Sequence, residues 1–584
     1  MFGDLRLFLD ALRARGEVRD IHAEVDPKLE LAEIHRRVIA ENGPALMFHR
    51  VKGSPYRVVT NMFGTRERVE LAFGHRGEKF IREAATLPHE LMPPTFGKIF
   101  QKRDFFLSAL KVGMSRSNRG PVMEVCDTPP RLTELPVLTT WEEDGGPFFT
   151  LPLVYTEEPG TRIHNLGMYR LQRYSDSETG LHMQIGKGGG FHLHRAKELG
   201  QRLPVNVFLG GPPALILAAI APLPENVGEL ILASLVLGKK VKLATASGVS
   251  LPFLADAEFV LCGECDPDER RAEGPFGDHY GYYSLTHDYP VFRCRKVFHR
   301  HDAIYPATVV GKPRQEDYYI GNYLQEMLSP LFPVVMPAVR SLWSYGETGY
   351  HSLAAAVVKE RFRREAMVSA FRILGEGQLA LTKFLLATDQ PCDLKNFRET
   401  LTTILERCDF RRDLFVFSNL SMDTLDYTGP KINEGSKGVL LGLGDPIREL
   451  PRSFAGAPSS DVRDVQIFSP GCLAVSGPSY AADREFAARI ARDPIFGSWP
   501  LICVVDDAAQ VCSSEASFLW HVFTRFEPAA DIIARDIRLE RMHPAFDMPV
   551  VIDARMKPQY PAELECDEAT SKLVNARWRE YGLP

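Results

Sequence analysis

Residues 273–283 read Glu273-Gly274-Pro275-Phe276-Gly277-Asp278-His279-Tyr280-Gly281-Tyr282-Tyr283. Two carboxylates flank a Gly-Pro-Phe-Gly turn, and a histidine and three tyrosines follow at once. Glycine and proline restrict where the backbone can go, so the acids are aimed rather than left to wave in solvent. Taken alone, the segment admits two readings. One is a charged turn ahead of a strand. The other is a pair of fixed acids beside aromatic walls, which suits proton transfer.

Composition narrows the surroundings. The chain has 584 residues, 45% hydrophobic and 25% charged, as in ordinary soluble globular protein. That length accommodates roughly three or four domains. A net charge of −6 leaves no overall basic footprint for nucleic acid. Basic runs such as Arg361-Phe362-Arg363-Arg364 are short and read as solvated helix faces. The ten cysteines are scattered, and only Cys262 and Cys265 form a C-x-x-C pair. No second pair or H-x-x-x-H spacing accompanies it, so a zinc site is not expected and both read as small buried hydrophobes. The absence of a disulfide framework fits a reducing, cytoplasmic compartment. The first residues carry charge too early for a signal peptide. They read as an amphipathic helix with Leu5, Phe8, Leu9 and Leu12 on one face. No apolar run approaches the ~18–20 residues of a spanning helix.

The pattern along the chain predicts an α+β multidomain protein. Residues 1–115 alternate helix at 31–39, strands at 45–48 and 57–60, and helix at 66–73, an N-terminal α/β domain. In 116–325 short β-type runs dominate, at 148–150, 154–156, 205–209 and 291–293, punctuated by Gly and Pro. That predicts an antiparallel sheet or barrel containing one helix at 225–237. Residues 326–450 return to α/β, with strand 353–358, helix 363–374 and strand 383–387 forming a βαβ unit. Residues 451–584 read as an irregular C-terminal extension with helices at 480–491 and 515–523.

Three further segments bear chemistry. Asn165-Leu166-Gly167-Met168-Tyr169-Arg170-Leu171-Gln172 reads as one strand, with Met168 and Arg170 on one face and Asn165 on the other. Arg170 is always cationic and its planar fork can grip a carboxylate, although a strand with one solvated face would look the same. Gln184-Ile185-Gly186-Lys187-Gly188-Gly189-Gly190-Phe191-His192-Leu193-His194 is a loop whose backbone N–H groups can turn toward an anion. It is not a Walker A loop. His192 and His194 are candidate metal ligands, although such a pair also occurs as plain structure. Glu229 stands near the start of the 225–237 helix, where the macrodipole alone would favour an acid. As a metal ligand beside amide oxygen and imidazole it would suit Mn²⁺ or Mg²⁺ better than zinc.

Together these segments resemble the UbiD-type decarboxylases. The N-x-G-x-Y-R-x-Q strand, the P-L-P-E-x-x-x-E helix start at 222–229 and the E-G-P-F-G-D-H-x-G-Y-Y turn all look like that family's signatures. So do Asp302-Ala303-Ile304-Tyr305-Pro306-Ala307-Thr308 and Val309-Val310-Gly311-Lys312-Pro313. The resemblance covers roughly residues 1–445. The extra C-terminal length and the Gly186–His192 loop are similar to the branch acting in the futalosine route to menaquinone.

The resemblance implies a fold, a cofactor and roles. The family binds prenylated FMN (prFMN) in a split β-barrel domain, with a divalent metal and often K⁺ bridging its phosphate. Asn165 and Glu229 match metal-ligand positions. Many members carry a metal-binding histidine just before the loop glycines. Here Gly186 stands at that position, so either His192 replaces it through a rearranged loop or the third ligand is a different residue. Met168, Gln184 and Lys187 fall at cofactor-binding positions together with Asn165 and Arg170, and Lys359 looks like a lysine that reaches the phosphate. Arg170, Glu273 and Asp278 match the catalytic network, with Asp at 278 where some members have Glu. Arg170 would orient the substrate carboxylate, Glu273 would hold Arg170, and Asp278 would return a proton after CO₂ leaves. That last role calls for a raised pKa, which Tyr280, Tyr282 and Tyr283 would promote by excluding water.

The implied activity is non-oxidative decarboxylation of an aromatic acid in menaquinone or other quinone biosynthesis. The substrate would be naphthoate-type or a prenylated hydroxybenzoate, and a flavin prenyltransferase would supply the cofactor. A prenylated substrate would also call for a long apolar channel and peripheral membrane contact. A rival is a reversible decarboxylase of a small phenolic or heteroaromatic acid. A split-barrel flavin reductase is a reading of another class, but no G-x-G-x-x-G follows a strand and the acid pair would go unexplained. A non-catalytic flavin-binding subunit would not need the Arg170, Glu273 and Asp278 set. Family analogy favours a homo-oligomer, at least a dimer through the C-terminal domain.

Overall fold

The structure, a computed structural model, describes residues 1–93, 95–183, 188–223 and 227–583. The chain packs as two compact units: Met1–Leu328 with Glu563–Pro584, and Ser329–Ala562.

In the first unit the N-terminal helix Leu5–Ala14 is capped by Asp4, whose side chain accepts from the Leu7 N–H. It buries Leu5, Phe8, Leu9 and Leu12, the face its periodicity predicts. Behind it lies a four-stranded sheet of Val18–Val25, Ala45–Val51, Arg57–Thr60 and Ile304–Pro306, in that order. The last strand pairs in parallel with Arg57–Thr60 although it lies far along the chain. The strand Met114–Ser117 likewise pairs in parallel with Val241–Ala244. Both long-range pairings tie the 1–115 segment to the residues that follow it.

The larger sheet has seven strands and is antiparallel throughout. Its order is Glu178–Gly180, His287–His299, Phe259–Glu273, Leu203–Leu209, Leu153–Glu157 and His164–Gly167, with Val125–Asp127 also on His287–His299. The long strands Phe259–Glu273 and His287–His299 end on the pair Glu273 and His287. The 273–283 turn is therefore part of the connection between the two central strands, and Glu273 is the last residue before it. A small ladder, Phe276–Gly277 on Tyr283–Ser284, stiffens that connection. Cys262 and Cys265 lie buried on the first of these strands, all ten cysteines are free, and burial pushes both thiols up. The helix Glu229–Leu237 starts at Gly228 and ends at Gly238, whose φ of 74° closes it in the left-handed region. The start expected at 225 falls among residues outside those described.

The second unit holds two five-stranded sheets. The first runs Val339–Ser344, Leu353–Val358, Phe384–Thr388, Glu434–Gly442 and Leu414–Ser421. Its three central strands are parallel, and helix Glu365–Ile373 makes the crossover between Leu353–Val358 and Phe384–Thr388. The second runs Asp464–Ser469, Cys472–Ser476, Leu501–Val505, Val550–Asp553 and Ile532–Ala534. It replaces most of the irregular extension expected after 450. Its central strands are five or four residues long and buried along their whole length, so they carry no alternation to read.

From Glu563 the chain rejoins the first unit. Helix Glu568–Arg577 lies against helix Glu30–Ala40, where Arg37 donates to Asn575 Oδ1 at 2.6 Å and the Tyr581 hydroxyl donates to Glu30 Oε1 at 2.6 Å. Among the described residues no helix is long and apolar enough to cross a membrane.

The two central strands approach closely at Gly263, where an added Cβ would stand 2.1 Å from the Arg293 carbonyl oxygen. Backbone cannot yield as a flexible side chain can. Gly263→Ala is expected to lower unfolding free energy by about 1–3 kcal/mol, read from urea titration; an unchanged midpoint would show that the strands separate freely there.

Candidate active site

The 165–172 segment is not one strand. His164–Gly167 pairs with Leu153–Glu157, and Leu171–Gln172 pairs with Phe148–Phe149. The break follows from Tyr169, which folds back over Gly167: a Cβ there would stand 2.3 Å from Tyr169 Cζ. The expected simple alternation of faces is therefore corrected, and Arg170 sits in the gap between the two short strands.

From that gap the guanidinium reaches three partners. Nε donates to Glu273 Oε1 at 2.9 Å, one terminal nitrogen donates to Asp278 Oδ2, and the other donates to Ser284 Oγ at 3.0 Å. Its flat face lies 4.5 Å over the Phe276 ring. Glu273 is wholly buried and Asp278 is 8% exposed. The trio named from the sequence is thus one contiguous charged cluster. Gln172 locks its frame: Oε1 accepts from the Gly274 N–H at 2.9 Å, and Nε2 donates to the Gly145 carbonyl at 2.6 Å.

Two histidines complete the cluster. His182 Nδ1 lies 3.1 Å from Glu273 Oε1, and its ring centroid is 4.2 Å from that of Tyr289. His279 brings both its backbone N–H and its ring nitrogen within 2.7 Å of Asp278 Oδ1. The roles of His182 and Ser284 were not legible in the sequence, because neither stands in a spacing that marks chemistry. His279 stands beside Asp278 in the sequence, but its neighbourhood there gives it no task. Among the described residues Glu273 Oε2 is buried without a hydrogen-bond partner.

Burial alone would raise the Asp278 carboxyl, but the His279 hydrogen bond and the Arg170 charge outweigh it and hold it well below the usual carboxylate range. Glu273 is also lowered: burial opposes ionisation, and Arg170 and His182 overcome it. Burial works against the Arg170 charge too, yet its carboxylate neighbours raise its pKa. The expectation of a raised pKa at Asp278 is therefore corrected for the free site. Tyr280, Tyr282 and Tyr283 are buried, as a dry site requires. Ion pairing nevertheless decides the sign.

A second group gathers on strand His164–Gly167. Glu229 Oε2 accepts from the Leu166 N–H at 2.9 Å, and burial raises its carboxyl. His192 Nδ1 lies 2.9 Å from Thr156 Oγ1, and Thr156 pairs across the strands with Asn165. Burial lowers His192, which favours the neutral, ligating imidazole. Asn165 Oδ1 stands where a Cβ at Gly188 would come within 2.0 Å, so only glycine admits that approach. Asn165, Glu229 and His192 are thus neighbours of one strand, with an oxygen and nitrogen donor set that fits Mn²⁺ or Mg²⁺. Among the described residues no trio of His, Cys, Asp or Glu forms a metal cluster by itself, so the amide of Asn165 would be essential. Beside them, helix Gly188–Glu198 opens on three glycines, a setting that fits a phosphate.

Met168 is half-buried in the gap beside Arg170. Gln184, Gly186 and Lys187 lie outside the described residues. Lys359 belongs to the second unit, where its N–H donates to the Ala338 carbonyl at 2.7 Å.

A guanidinium clamped by two buried acids, at the turn of a large antiparallel sheet, defines a site for handling a carboxylate and a proton. Three family models match in order: the 3-octaprenyl-4-hydroxybenzoate carboxy-lyase N-terminal domain over residues 9–87, its Rift-related domain over 114–313 and its C-terminal domain over 318–442. The chain belongs to the UbiD family of carboxy-lyases. It is 50% identical over 579 residues to a Chlamydia pneumoniae protein named as one subunit of 4-hydroxybenzoate decarboxylase, a match that covers 99% of this chain and 98% of that one. Its fold is similar to that of vanillic acid decarboxylase from Sedimentibacter hydroxybenzoicus, with a TM-score of 0.66 at 22% identity over 84% of this chain and 98% of that one. It is also similar to the UbiD-class enzyme HmfF from Pelotomaculum thermopropionicum in complex with FMN, with a TM-score of 0.63 at 22% identity over 78% of this chain and 97% of that one. An evolved dimeric form of HmfF solved with prFMN scores 0.62 at 21% identity, over 77% of this chain and 97% of that one.

Removing Arg170 would leave two buried carboxylates without their guanidinium, held among the described residues only by His182 and His279. Arg170→Gln is expected to cost about 3–5 kcal/mol near neutral pH. Both acids have lowered folded pKa values, so their stabilisation is fully present above the unfolded carboxyl range near about 4 and is lost as pH falls through the folded values. The gap between wild type and Arg170→Gln in urea unfolding should therefore narrow on acidification; a gap independent of pH would assign the loss to packing.

Proposed function

We propose that this protein decarboxylates an aromatic acid without net oxidation, using prFMN, and that its substrate is a naphthoate-type or prenylated hydroxybenzoate acid of menaquinone or other quinone biosynthesis. The observation that carries the reading is the Arg170–Glu273–Asp278 cluster. Arg170 would take the substrate carboxylate, exchanging part of its pairing with Asp278 for the new anion. Glu273 stays on Nε and keeps the guanidinium plane fixed. Bound prFMN would supply the electron sink for the C–C bond that breaks. As Arg170 turns to the substrate, Asp278 loses one of the two partners that lower it, His279 being the other, so in a dry pocket its pKa rises toward the state that holds a proton. The bond to the carboxylate carbon breaks, CO₂ leaves, and the proton on Asp278 moves to the ring carbon. A solvent proton then restores the acid.

The resemblance assigns Met168, Gln184, Lys187 and Lys359, with Asn165 and Arg170, to the cofactor. It assigns Asn165, Glu229 and His192 to Mn²⁺ or Mg²⁺, with K⁺ as a further bridging ion. A cytoplasmic homo-oligomer, loaded by a flavin prenyltransferase, completes the reading. A prenylated substrate would bring the enzyme to a membrane surface. A second reading, decarboxylation of a small phenolic acid, is favoured by the name of the Chlamydia pneumoniae relative.

Protein co-expressed with a flavin prenyltransferase and purified without oxygen should carry prFMN by mass spectrometry. It should release CO₂ from one member of a panel of naphthoates and hydroxybenzoates with and without a prenyl tail. Turnover of unprenylated 4-hydroxybenzoate alone would favour the second reading, and repeated absence of prFMN would sink both. Asp278→Asn should lower turnover by about 10²–10⁴-fold and leave bound flavin intact. Near-normal turnover would remove Asp278 from the acid role.

A further inference from the structure

The turn that carries Asp278 is held from behind by the segment that returns from the second unit. Inside the turn, Asp278 N–H donates to the Tyr282 carbonyl at 3.1 Å and Gly281 N–H donates to the Asp278 carbonyl at 2.9 Å. The returning chain meets this loop at its far side. Glu563 forms an antiparallel bridge with Tyr282, and Leu564 N–H donates to the Gly281 carbonyl at 2.9 Å. The backbone that sets the acid's position is therefore one hydrogen bond away from residue 564.

Side chains close the same contact. Leu564, 2% exposed, packs with Trp141 and Tyr283. Trp141 is wedged against the turn: a Cβ at Gly277 would stand 2.1 Å from its ring, and one at Gly311 would stand 2.7 Å away. The indole N–H donates to the Val310 carbonyl at 3.0 Å, and Tyr283 OH accepts from the Glu143 N–H at 3.2 Å. The Glu563 carboxylate accepts from Lys312 Nζ at 2.8 Å. Helix Glu568–Arg577 then anchors the strap through Arg577 to Glu30 and Arg37 to Asn575.

We propose that Glu563 and Leu564 are positioning residues for the reaction, holding the Gly277–Tyr283 loop, and with it the Asp278 carboxyl, at the distance proton transfer requires. The physical need is plain. A reacting pair must sit about 3–3.5 Å apart, and a displacement of roughly 1 Å can cost about 10²-fold in rate. The ladder of the turn spans only Phe276–Gly277 and Tyr283–Ser284, leaving 278–282 as a loop whose outer edge rests on the strap. The role assigned to the strap in catalysis rests on Asp278 being the proton donor.

The test uses the full-length holoenzyme with Leu564→Pro, which removes the N–H donor, and Leu564→Ile, which keeps both donor and apolar bulk. Hydrogen exchange read by mass spectrometry should speed up roughly tenfold in peptides covering 276–284 of Leu564→Pro, as for one lost hydrogen bond, and stay slow elsewhere in the unit. Turnover number should fall about 10²-fold with KM within about twofold and flavin content unchanged, and Leu564→Ile should restore all three measures. Leu564→Ala, which keeps the donor but loses the packing, should lie between them and serves if the proline variant does not fold. Unchanged exchange at 276–284, faster exchange spread evenly over the unit, or an unaltered turnover number would each overturn the proposal. If the wild type releases no CO₂ from any acid, the decarboxylase reading falls, and the exchange data still decide whether the strap holds the turn.

Discussion

A cation buried between two anions is costly to assemble and costly to break, and the Arg170 cluster imposes that condition on its surroundings. Each ion gives up several kcal/mol of hydration, and only well-aimed partners return it. Hence the placement of Glu273 at the last position of a central strand, Asp278 on a braced turn, and Arg170 in a gap where two short strands part. Gln172 ties that gap to the turn, and His182 and His279 add directed bonds to the acids. None of these contacts is needed to fill a core. They keep charges where apolar residues would have packed more cheaply, which is what a site does and a mere scaffold does not.

The same cluster sets the state of the acid in the free site and suggests how the proposed reaction would change it. In the free site both carboxyls are lowered and Asp278 is a carboxylate. Its environment is nonetheless dry, so its affinity for a proton depends on the His279 hydrogen bond and on whether Arg170 faces it. On the proposed function a substrate carboxylate would compete for Arg170 directly, and the acid would change state by an exchange of partners on one guanidinium.

Family membership and the Arg170, Glu273 and Asp278 set were legible because their signal is local. The 273–283 turn and the Arg170 segment each carry several uncommon residues at fixed spacing. Regular elements with clear periodicity were legible as well: the strands Arg57–Thr60 and Leu353–Val358 and the helix Arg66–Phe73 lie where their patterns put them. The break at Tyr169 was not legible, because it arises from a ring folding over Gly167. The second sheet of the second unit was hidden for a different reason. Its short strands are buried along their length, so hydrophobicity shows no period.

By itself the sequence determined that the chain contains Arg170, Glu273 and Asp278 in recognisable settings, and that no Walker A loop, Rossmann glycine motif or paired C-x-x-C zinc pattern competes with them. These are properties of residue type and spacing. The tertiary structure alone decided the lowered pKa of Asp278, the partnership of His182 with Glu273, the grouping of His192 with Asn165 through Thr156, and the return of Leu564 to the Asp278 turn. Each depends on atoms brought together from distant parts of the chain, and hydrogen bonding and ion pairing fall off within a few ångströms, so no local pattern could encode them.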